Sequence, residues 1–243
     1  MAQGALPGFR DFYPQELAER AYIMSVWREV ASRYACVEYV GPPLEPLELY
    51  TRKSGEEIVG QLYNFVDKGG RDVALRPEMT PTVARMVAAR ANALRKPVRW
   101  FSMPQLFRYE RQQKGRLREH YQLNVDIIGA VEVAADAELV ACAVDIMRAF
   151  GMTANDVVVR VSDRRILQAY LESLGVPSAS VTAVYGVIDK LERQPAAVSN
   201  EKLTALGVPA SAIDRRSRNM VRPMLIRSWN RRSPTRSLSS AAR

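Results

Sequence analysis

Long hydrophobic runs and cysteine pairs are both missing from this sequence of 243 residues. No stretch of about 18 apolar residues occurs, which argues against a membrane-spanning helix. The N-terminus also lacks the basic start and apolar core that are typical of a signal peptide. The two cysteines, Cys36 and Cys142, lie far apart and form no CxxC pair. This cysteine usage argues against a zinc site or a disulfide scaffold and predicts a cytoplasmic protein.

Standard phosphate-binding loops are absent as well, since neither GxGxxG nor GxxxxGKS/T occurs. Apolar residues at helical spacing follow Pro14, whereas "VRWFSMPQLFRYE" and "HYQLNVDIIGA" are rich in aromatic and β-branched residues and predict strands. Helices and strands do not alternate regularly. The mixture predicts an α+β domain with an antiparallel or mixed sheet flanked by helices, rather than a doubly wound nucleotide-binding fold.

Acidic residues are absent from residues 215–243, which contain nine arginines and no lysine. The whole chain has 35 basic residues and a net charge of +9, so the other 26 basic residues balance the 26 acidic ones. The excess positive charge therefore belongs to this tail. It could bind RNA electrostatically, or it could be a disordered or non-native terminus, because it lacks helical periodicity.

A second charged stretch connects the two strand-like segments, and its positions suggest a phosphate site. Arg108 and Glu110 share one face by the period of two, and Arg116 and Arg118 lie on the returning side. Guanidinium groups bind phosphate oxygens in a bidentate manner and stay charged at physiological pH. The alternative is a solvent-exposed hairpin with compensating ion pairs.

A neighbouring segment supports the first interpretation. "ALRPEMTPTVAR", residues 74–85, places Arg76, Glu78 and Thr80 beside two prolines at a predicted strand-to-helix junction. Gln122 and Asp126 lie on one face of the return strand by even spacing. Together these positions offer arginines for phosphates and polar acceptors for a small cationic ligand.

These two segments carry a family resemblance. "LRPEMTPTVARM" and "FRYERQQKGRLREHYQLNVDIIG" resemble the amino-acid-binding motif and motif 2 of class II histidyl-tRNA synthetases. "GFRDFYP" resembles that family's opening, and the helix and proline-rich stretch that follow resemble its motif 1 region. The resemblance covers residues 4–213. It implies an antiparallel sheet flanked by helices, a homodimer formed through the motif 1 region, and ATP-dependent activation of histidine followed by transfer to tRNA(His).

The resemblance also implies roles for individual residues. Arg108 would hold the α-phosphate and the substrate carboxylate, Glu110 would read the adenine amino group, and Arg116 would meet the outer phosphates of ATP. Mg²⁺ is expected to accompany ATP, although no cluster of residues is typical of a dedicated metal site. The catalytic residues would be Arg108 and Gln122.

Histidine would be held by a second group of residues. The resemblance implies that Glu78, Thr80 and Gln122 contact its α-amino group and that Asp126 faces its imidazole ring. His120, the only histidine of the chain, is expected to pack or to support the loop rather than to catalyse.

Three parts of the family pattern have no counterpart here: the second histidine-binding motif, motif 3 and the anticodon-binding domain. The predicted organisation is a catalytic core at 1–160, a helical segment at 161–214 that begins an insertion region, and the arginine-rich tail at 215–243. The predicted sheet is therefore incomplete at its C-terminal end. A truncated or frameshifted product of this kind is expected to be weakly active or inactive.

Two other functions remain open. One is a regulatory, histidine-sensing paralogue that acts with ATP phosphoribosyltransferase in histidine biosynthesis and has less need of a triphosphate clamp. The other is a non-catalytic RNA-binding module that uses the arginine-rich tail. The intact loop "ERQQKGRLRE" favours the synthetase over the regulatory paralogue.

Overall fold

The computed structural model describes residues 4–54, 60–109, 117–159, 161, 163–191 and 194–215. The chain forms two compact units, Met1–Met152 and Thr153–Arg243. The predicted division into a core at 1–160, a helical segment at 161–214 and a tail stays a prediction, and all but the first residue of the tail lies outside the described residues.

Two long helices pack together in the first unit. Helix α1, Pro14–Arg33, begins with a proline, whose fixed φ suits the first turn of a helix. Helix α4, Val133–Ala149, lies against it. Val26 and Val30 of α1 form a buried cluster with Cys142 and Ile146 of α4. Both cysteines are buried and free.

The central sheet of this unit contains three strands in the order β1–β5–β8, which are Val37–Glu38, Val98–Ser102 and Asn124–Ile128. Strands β5 and β8 are antiparallel, with Trp100 opposite Asp126. Strands β1 and β5 are parallel, which the long intervening chain allows because it can cross over between them. Helix α3, Thr80–Ala89, contributes Val83 to a cluster that includes Trp100 and Ile128 of this sheet.

A second sheet is antiparallel, with the order β2–β4–β3: Leu44–Pro46, Asp72–Leu75 and Asn64–Val66. Helix α2, Glu48–Ser54, follows β2. A tight turn with Gly70 at φ +76° joins β3 to β4, and glycine reaches this left-handed region without steric cost. In the sequence, two short apolar runs around Lys68-Gly69-Gly70 predict a β-hairpin, and the pairing of β3 with β4 confirms it.

The third sheet is the two-stranded antiparallel pair β6, Gln105–Phe107, and β7, Glu119–Tyr121. These strands flank residues 108–118, which we call the charged loop. The sequence predicts this placement. The α+β class with antiparallel sheets and helices is confirmed, and the parallel pair β1–β5 makes the central sheet mixed.

The described part of the second unit is helical. It contains α5 (Arg164–Ser173), a 3-10 turn (Ser178–Ser180), α6 (Val181–Ile188), α7 (Ala196–Ala205) and α8 (Ala210–Arg215). Gly175 and Gly207, both at positive φ, end α5 and α7. The stretch "LGVP" occurs in the sequence at 174–177 and again at 206–209. Its Gly at the stop and Pro just beyond predict a helix ending, and the structure confirms that for both stretches. No helix of the described residues is both long and apolar enough to cross a membrane.

Candidate active site

The paired strands β6 and β7 set the base of the charged loop. The backbone N–H of Arg108 donates to the carbonyl oxygen of Arg118 at 2.9 Å, which continues the pairing beyond the two strands. The guanidinium of Arg118 lies over the Tyr109 ring, 4.3 Å from its centroid. Glu110 and Arg116, together with the rest of 110–116, lie outside the described residues.

The side chain of Arg108 joins this loop to the segment that precedes α3. It is half-buried, and its Nε donates to the carbonyl oxygen of Pro77 at 3.2 Å. Pro77 immediately precedes Glu78. The two segments that the sequence analysis combined are therefore in direct contact. Within the described part of the chain, no partner is found for the two terminal nitrogens of Arg108, which leaves a guanidinium edge for a ligand.

Arg76 is a second arginine of this region, and its role is structural. It is buried, with Nη1 donating to the Gly41 carbonyl at 2.7 Å and Nε to the Gln105 carbonyl at 2.9 Å. Its own carbonyl accepts from the N–H of Phe107 at 3.0 Å. Burial lowers the pKa of this guanidinium below its usual value. In the sequence Arg76 lies beside two prolines, and the only hint of its structural role there is a charged residue at the end of an otherwise apolar strand.

Replacing Arg76 by leucine is expected to destabilise the chain by about 3 kcal/mol, because two buried carbonyls lose a charged donor. Thermal or urea unfolding would measure the change. Arg28→Leu is the control, since Arg28 forms an ion pair with Glu38 on the surface and surface pairs contribute little. Equal losses in the two variants would contradict the structural role of Arg76.

Glu78 and Thr80 flank Met79, which is almost fully buried with Tyr39 and Val83. Glu78 is half-buried and Thr80 is exposed. In the sequence, Thr80 followed by Pro81 predicts a helix with Thr80 as its N-cap. That prediction is wrong, because α3 already begins at Thr80 and its N-cap is Met79, which makes no side-chain capping bond. The anchored Met79 fixes the two polar neighbours on either side of it.

Asp126 lies half-buried on β8 and faces a residue that the sequence analysis missed. The hydroxyl of Tyr39 donates to Oδ2 of Asp126 at 3.5 Å, and the Tyr39 ring packs on Trp100 with centroids 5.4 Å apart. Burial raises the pKa of Asp126, and the Tyr39 hydroxyl opposes that rise. Burial likewise raises the pKa of Tyr39 to about 12. No local sequence signal connects Tyr39 with Asp126, which is 87 positions away.

Gln122 follows β7 and is exposed. Its Nε2 donates to Oδ1 of Asn124 at 3.0 Å, and its backbone N–H donates to the Pro104 carbonyl at 3.2 Å. His120 lies on β7 opposite Leu106; its predicted packing role stays a prediction. The contacts among the described residues thus connect Arg108 with the Glu78 segment, and Met79 with Tyr39 beside Asp126.

Among the residues that the structure describes, no group of three or more His, Cys, Asp or Glu side chains is placed to hold a metal ion. The exposed edge of Arg108 fits an anionic group such as a phosphate or carboxylate.

The fold is similar to that of solved synthetase structures. The fold resembles the crystal structure of histidyl-tRNA synthetase from Nostoc sp. PCC 7120, with a TM-score of 0.75 at 24% identity over 88% of this chain and 48% of that one. It also resembles a Bacillus halodurans protein described as an ATP phosphoribosyltransferase regulatory subunit/histidyl-tRNA synthetase, with a TM-score of 0.71 at 21% identity over 88% of this chain and 54% of that one. The fold is therefore that of the class II aminoacyl-tRNA synthetases.

Sequence similarity specifies the family within that class. The family model for histidyl-tRNA synthetase matches residues 8–213. The chain is 51% identical over 189 residues to the histidine–tRNA ligase of Opitutus terrae. The aligned region covers 78% of this chain and 43% of that enzyme. The chain belongs to the histidyl-tRNA synthetase family, as its motifs predict. It spans less than half the length of the curated relatives that it matches.

Proposed function

We propose that this chain provides the motif 2 part of a histidine–tRNA ligase, which activates histidine with ATP and transfers it to tRNA(His). One observation carries the proposal: the bond from Arg108 to Pro77 brings the arginine of the charged loop beside Glu78. A phosphate-binding group and a group for an amino acid then lie side by side. Adenylation needs that arrangement, because the carboxylate of histidine must reach the α-phosphorus of ATP.

ATP would be bound at the base of the charged loop. The free edge of Arg108 would hold the α-phosphate and the attacking carboxylate, while Glu110 would accept from the adenine amino group and Arg116 would meet the outer phosphates. The attack is an in-line displacement in which pyrophosphate leaves, so positioning and charge stabilisation provide most of the catalysis. An arginine aimed at the developing charge could lower the barrier by several kcal/mol. Mg²⁺ would enter with ATP.

Histidine would lie between α3 and β8. Glu78, Thr80 and Gln122 would accept hydrogen bonds from its α-amino group, and Asp126 would accept one from its imidazole. The half-buried position of Asp126 supports this role, because an amino acid without that donor would leave the carboxylate unpaired. The hydroxyl of Tyr39 would then hold the carboxylate towards the ring.

Exposed apolar side chains in the motif 1 region support the proposed homodimer. Helix α1 exposes Leu17 and Tyr22 at 44% and 58%, and Val37 of β1 and Val40 beyond it are exposed at 64% and 82%. Such side chains are typical of surfaces that bind another protein when they form one contiguous patch. A second copy of this chain is the proposed partner.

Calorimetric titration of the purified chain tests the proposed function. We expect ATP and histidine each to bind, and each to bind more tightly when the other is present, because the α-phosphate and the carboxylate share Arg108. Histidine-dependent pyrophosphate exchange is expected to be weak, since the relatives are more than twice as long.

Three outcomes of binding experiments would contradict the proposed function or favour one of the alternatives. Failure of both ligands to bind would contradict the proposed function. Binding of histidine but not of ATP would favour the regulatory paralogue, with co-purification of a phosphoribosyltransferase as the further check. Salt-dependent RNA binding that is lost when residues 215–243 are deleted, with no binding of ATP, would favour the RNA-binding module.

A further inference from the structure

Glu119 is a buried carboxylate at the base of the charged loop. Glu119 is only 3% exposed. Its Oε1 accepts from the backbone N–H of Arg10 at 3.0 Å, and its Oε2 accepts from Nε2 of Gln105 at 2.5 Å. The Arg10 guanidinium also lies nearby, with Nε 3.6 Å from Oε1. A buried carboxylate is costly unless it is paired and hydrogen-bonded, and here both oxygens are satisfied.

These bonds join β7 to two other segments. Gln105 belongs to β6, which leads directly to Arg108. Arg10 belongs to residues 7–12, which we call the N-terminal segment. Arg10 and Glu119 are 109 positions apart in the sequence, so the carboxylate connects distant parts of the chain at the point where the charged loop begins and ends.

The N-terminal segment makes further contacts at the same place. The N–H of Arg118 donates to the carbonyl of Gly8 at 2.9 Å. Gly8 has φ +89°, and a Cβ there would lie 2.7 Å from Cγ of Arg118, so only glycine allows this approach. The ring of Phe9 packs near Phe107, with centroids 6.3 Å apart.

The pairing therefore extends from the N-terminal segment through Arg118 to Arg108. Arg118 accepts at its carbonyl from Arg108 and donates at its N–H to Gly8. Glu119, the next residue, holds the neighbouring Arg10 by its carboxylate. Without that carboxylate, the N-terminal segment would keep its backbone bond to Arg118. It would lose the bond from Arg10 to Glu119, which connects it through the same carboxylate to Gln105 of β6.

We infer that Glu119 is a positioning residue, which holds the N-terminal segment against β6 and β7 and thereby fixes the backbone of Arg108 for phosphate binding. The inference rests on the proposed function, because it takes Arg108 to be the phosphate ligand. Glu119 itself does not touch the substrate. A purely structural role would instead make Glu119 important for stability alone.

Three variants of the full chain separate these roles. In Glu119→Gln one acceptor oxygen becomes an amide nitrogen and the buried negative charge is lost, so the side chain no longer accepts charge-assisted hydrogen bonds from both Arg10 and Gln105. The exchanged pair Glu119→Gln with Gln105→Glu would restore one donor and one acceptor. Glu45→Gln is the matched control, because Glu45 is also buried, at 4%, and is paired with Arg85 at 2.6 Å in the second sheet.

Two measurements are made on each variant: the dissociation constant for ATP by calorimetry, and hydrogen exchange of the backbone amides in residues 8–12 and 105–121. We expect Glu119→Gln to weaken ATP binding about tenfold, because a hydrogen bond to a buried charge is lost. The amides of Arg10, Arg108 and Arg118 should exchange faster. Glu45→Gln should lower the melting temperature but leave the ATP affinity and the amide exchange unchanged. The exchanged pair should recover the ATP affinity and the slow amide exchange of the unmodified chain.

Equal ATP affinity and equal amide exchange in Glu119→Gln and in the unmodified chain would overturn the inference. The same would follow if Glu45→Gln reproduced both effects, because the cause would then be a general loss of stability. If the unmodified chain bound no ATP, the proposed function would fail, and unchanged amide exchange at Arg108 would then remove the positioning role as well.

Discussion

Arg108→Ala is expected to weaken ATP binding at least about 100-fold, since the half-buried guanidinium edge would be replaced by a methyl group in a site built for an anion. The bond from Nε to Pro77 orients this side chain, so its position is set before a ligand arrives. Preorganisation of this kind strengthens the interaction with the phosphate, because no reorganisation is needed at the time of reaction.

Arg108→Lys separates charge from geometry. Lysine keeps the positive charge but cannot donate from Nε to Pro77 while presenting two further nitrogens to a phosphate and a carboxylate. Its ATP affinity is expected to lie between those of the unmodified chain and the alanine variant. Calorimetry with ATP provides the measurement, and Arg28→Ala is the control on the surface. Unchanged affinity in Arg108→Ala would remove the phosphate-binding role of the loop.

Asp126→Asn is expected to weaken histidine binding about 100-fold, because a charged acceptor for the imidazole N–H becomes a neutral amide. The same change should stabilise the folded chain at neutral pH. Burial raises the pKa of Asp126 in the folded state, so ionising this residue costs more in the folded chain than in the unfolded one. Asparagine removes that cost.

The pH dependence of this stabilisation follows from linkage. The unfolded carboxyl has a pKa of about 3.9, and the folded one has a higher pKa, so the folded chain binds the proton more tightly. The unmodified chain therefore loses stability as the pH rises from the unfolded pKa through the folded pKa. The gain in melting temperature from Asp126→Asn should be full at pH 7 and should vanish below about pH 3.5.

Melting curves at several pH values and titration with histidine measure both effects. Asp136→Asn is the control, since Asp136 is exposed in the first turn of α4. Loss of stability at pH 7 would contradict the raised pKa of Asp126 in the folded chain. Histidine affinity equal to that of the unmodified chain would contradict the assignment of Asp126 to the imidazole. A gain in stability with a loss of binding is the expected outcome for a residue retained for function.

Local patterns determined much of this protein. The hairpin around Gly70, the helix endings at Gly175 and Gly207, and the two strands that flank the charged loop all depend on residues within a few positions of one another. Turn chemistry and side-chain periodicity act over that range, so they are readable from the sequence. The family could also be predicted from the sequence, because each of its motifs is a contiguous stretch of residues.

The tertiary structure decided which residues support those motifs. Arg76 binds the carbonyls of Gly41 and Gln105, and Tyr39 meets Asp126 across 87 positions. Glu119 reaches Arg10 across 109 positions. No periodicity connects residues so far apart, and each pairing depends on how the strands align and which side chains are buried between them. The sequence by itself therefore determined the class and family and predicted the candidate ligand residues, whereas the contacts that hold Arg108 and Asp126 in place exist only once the sheets and the N-terminal segment have packed together.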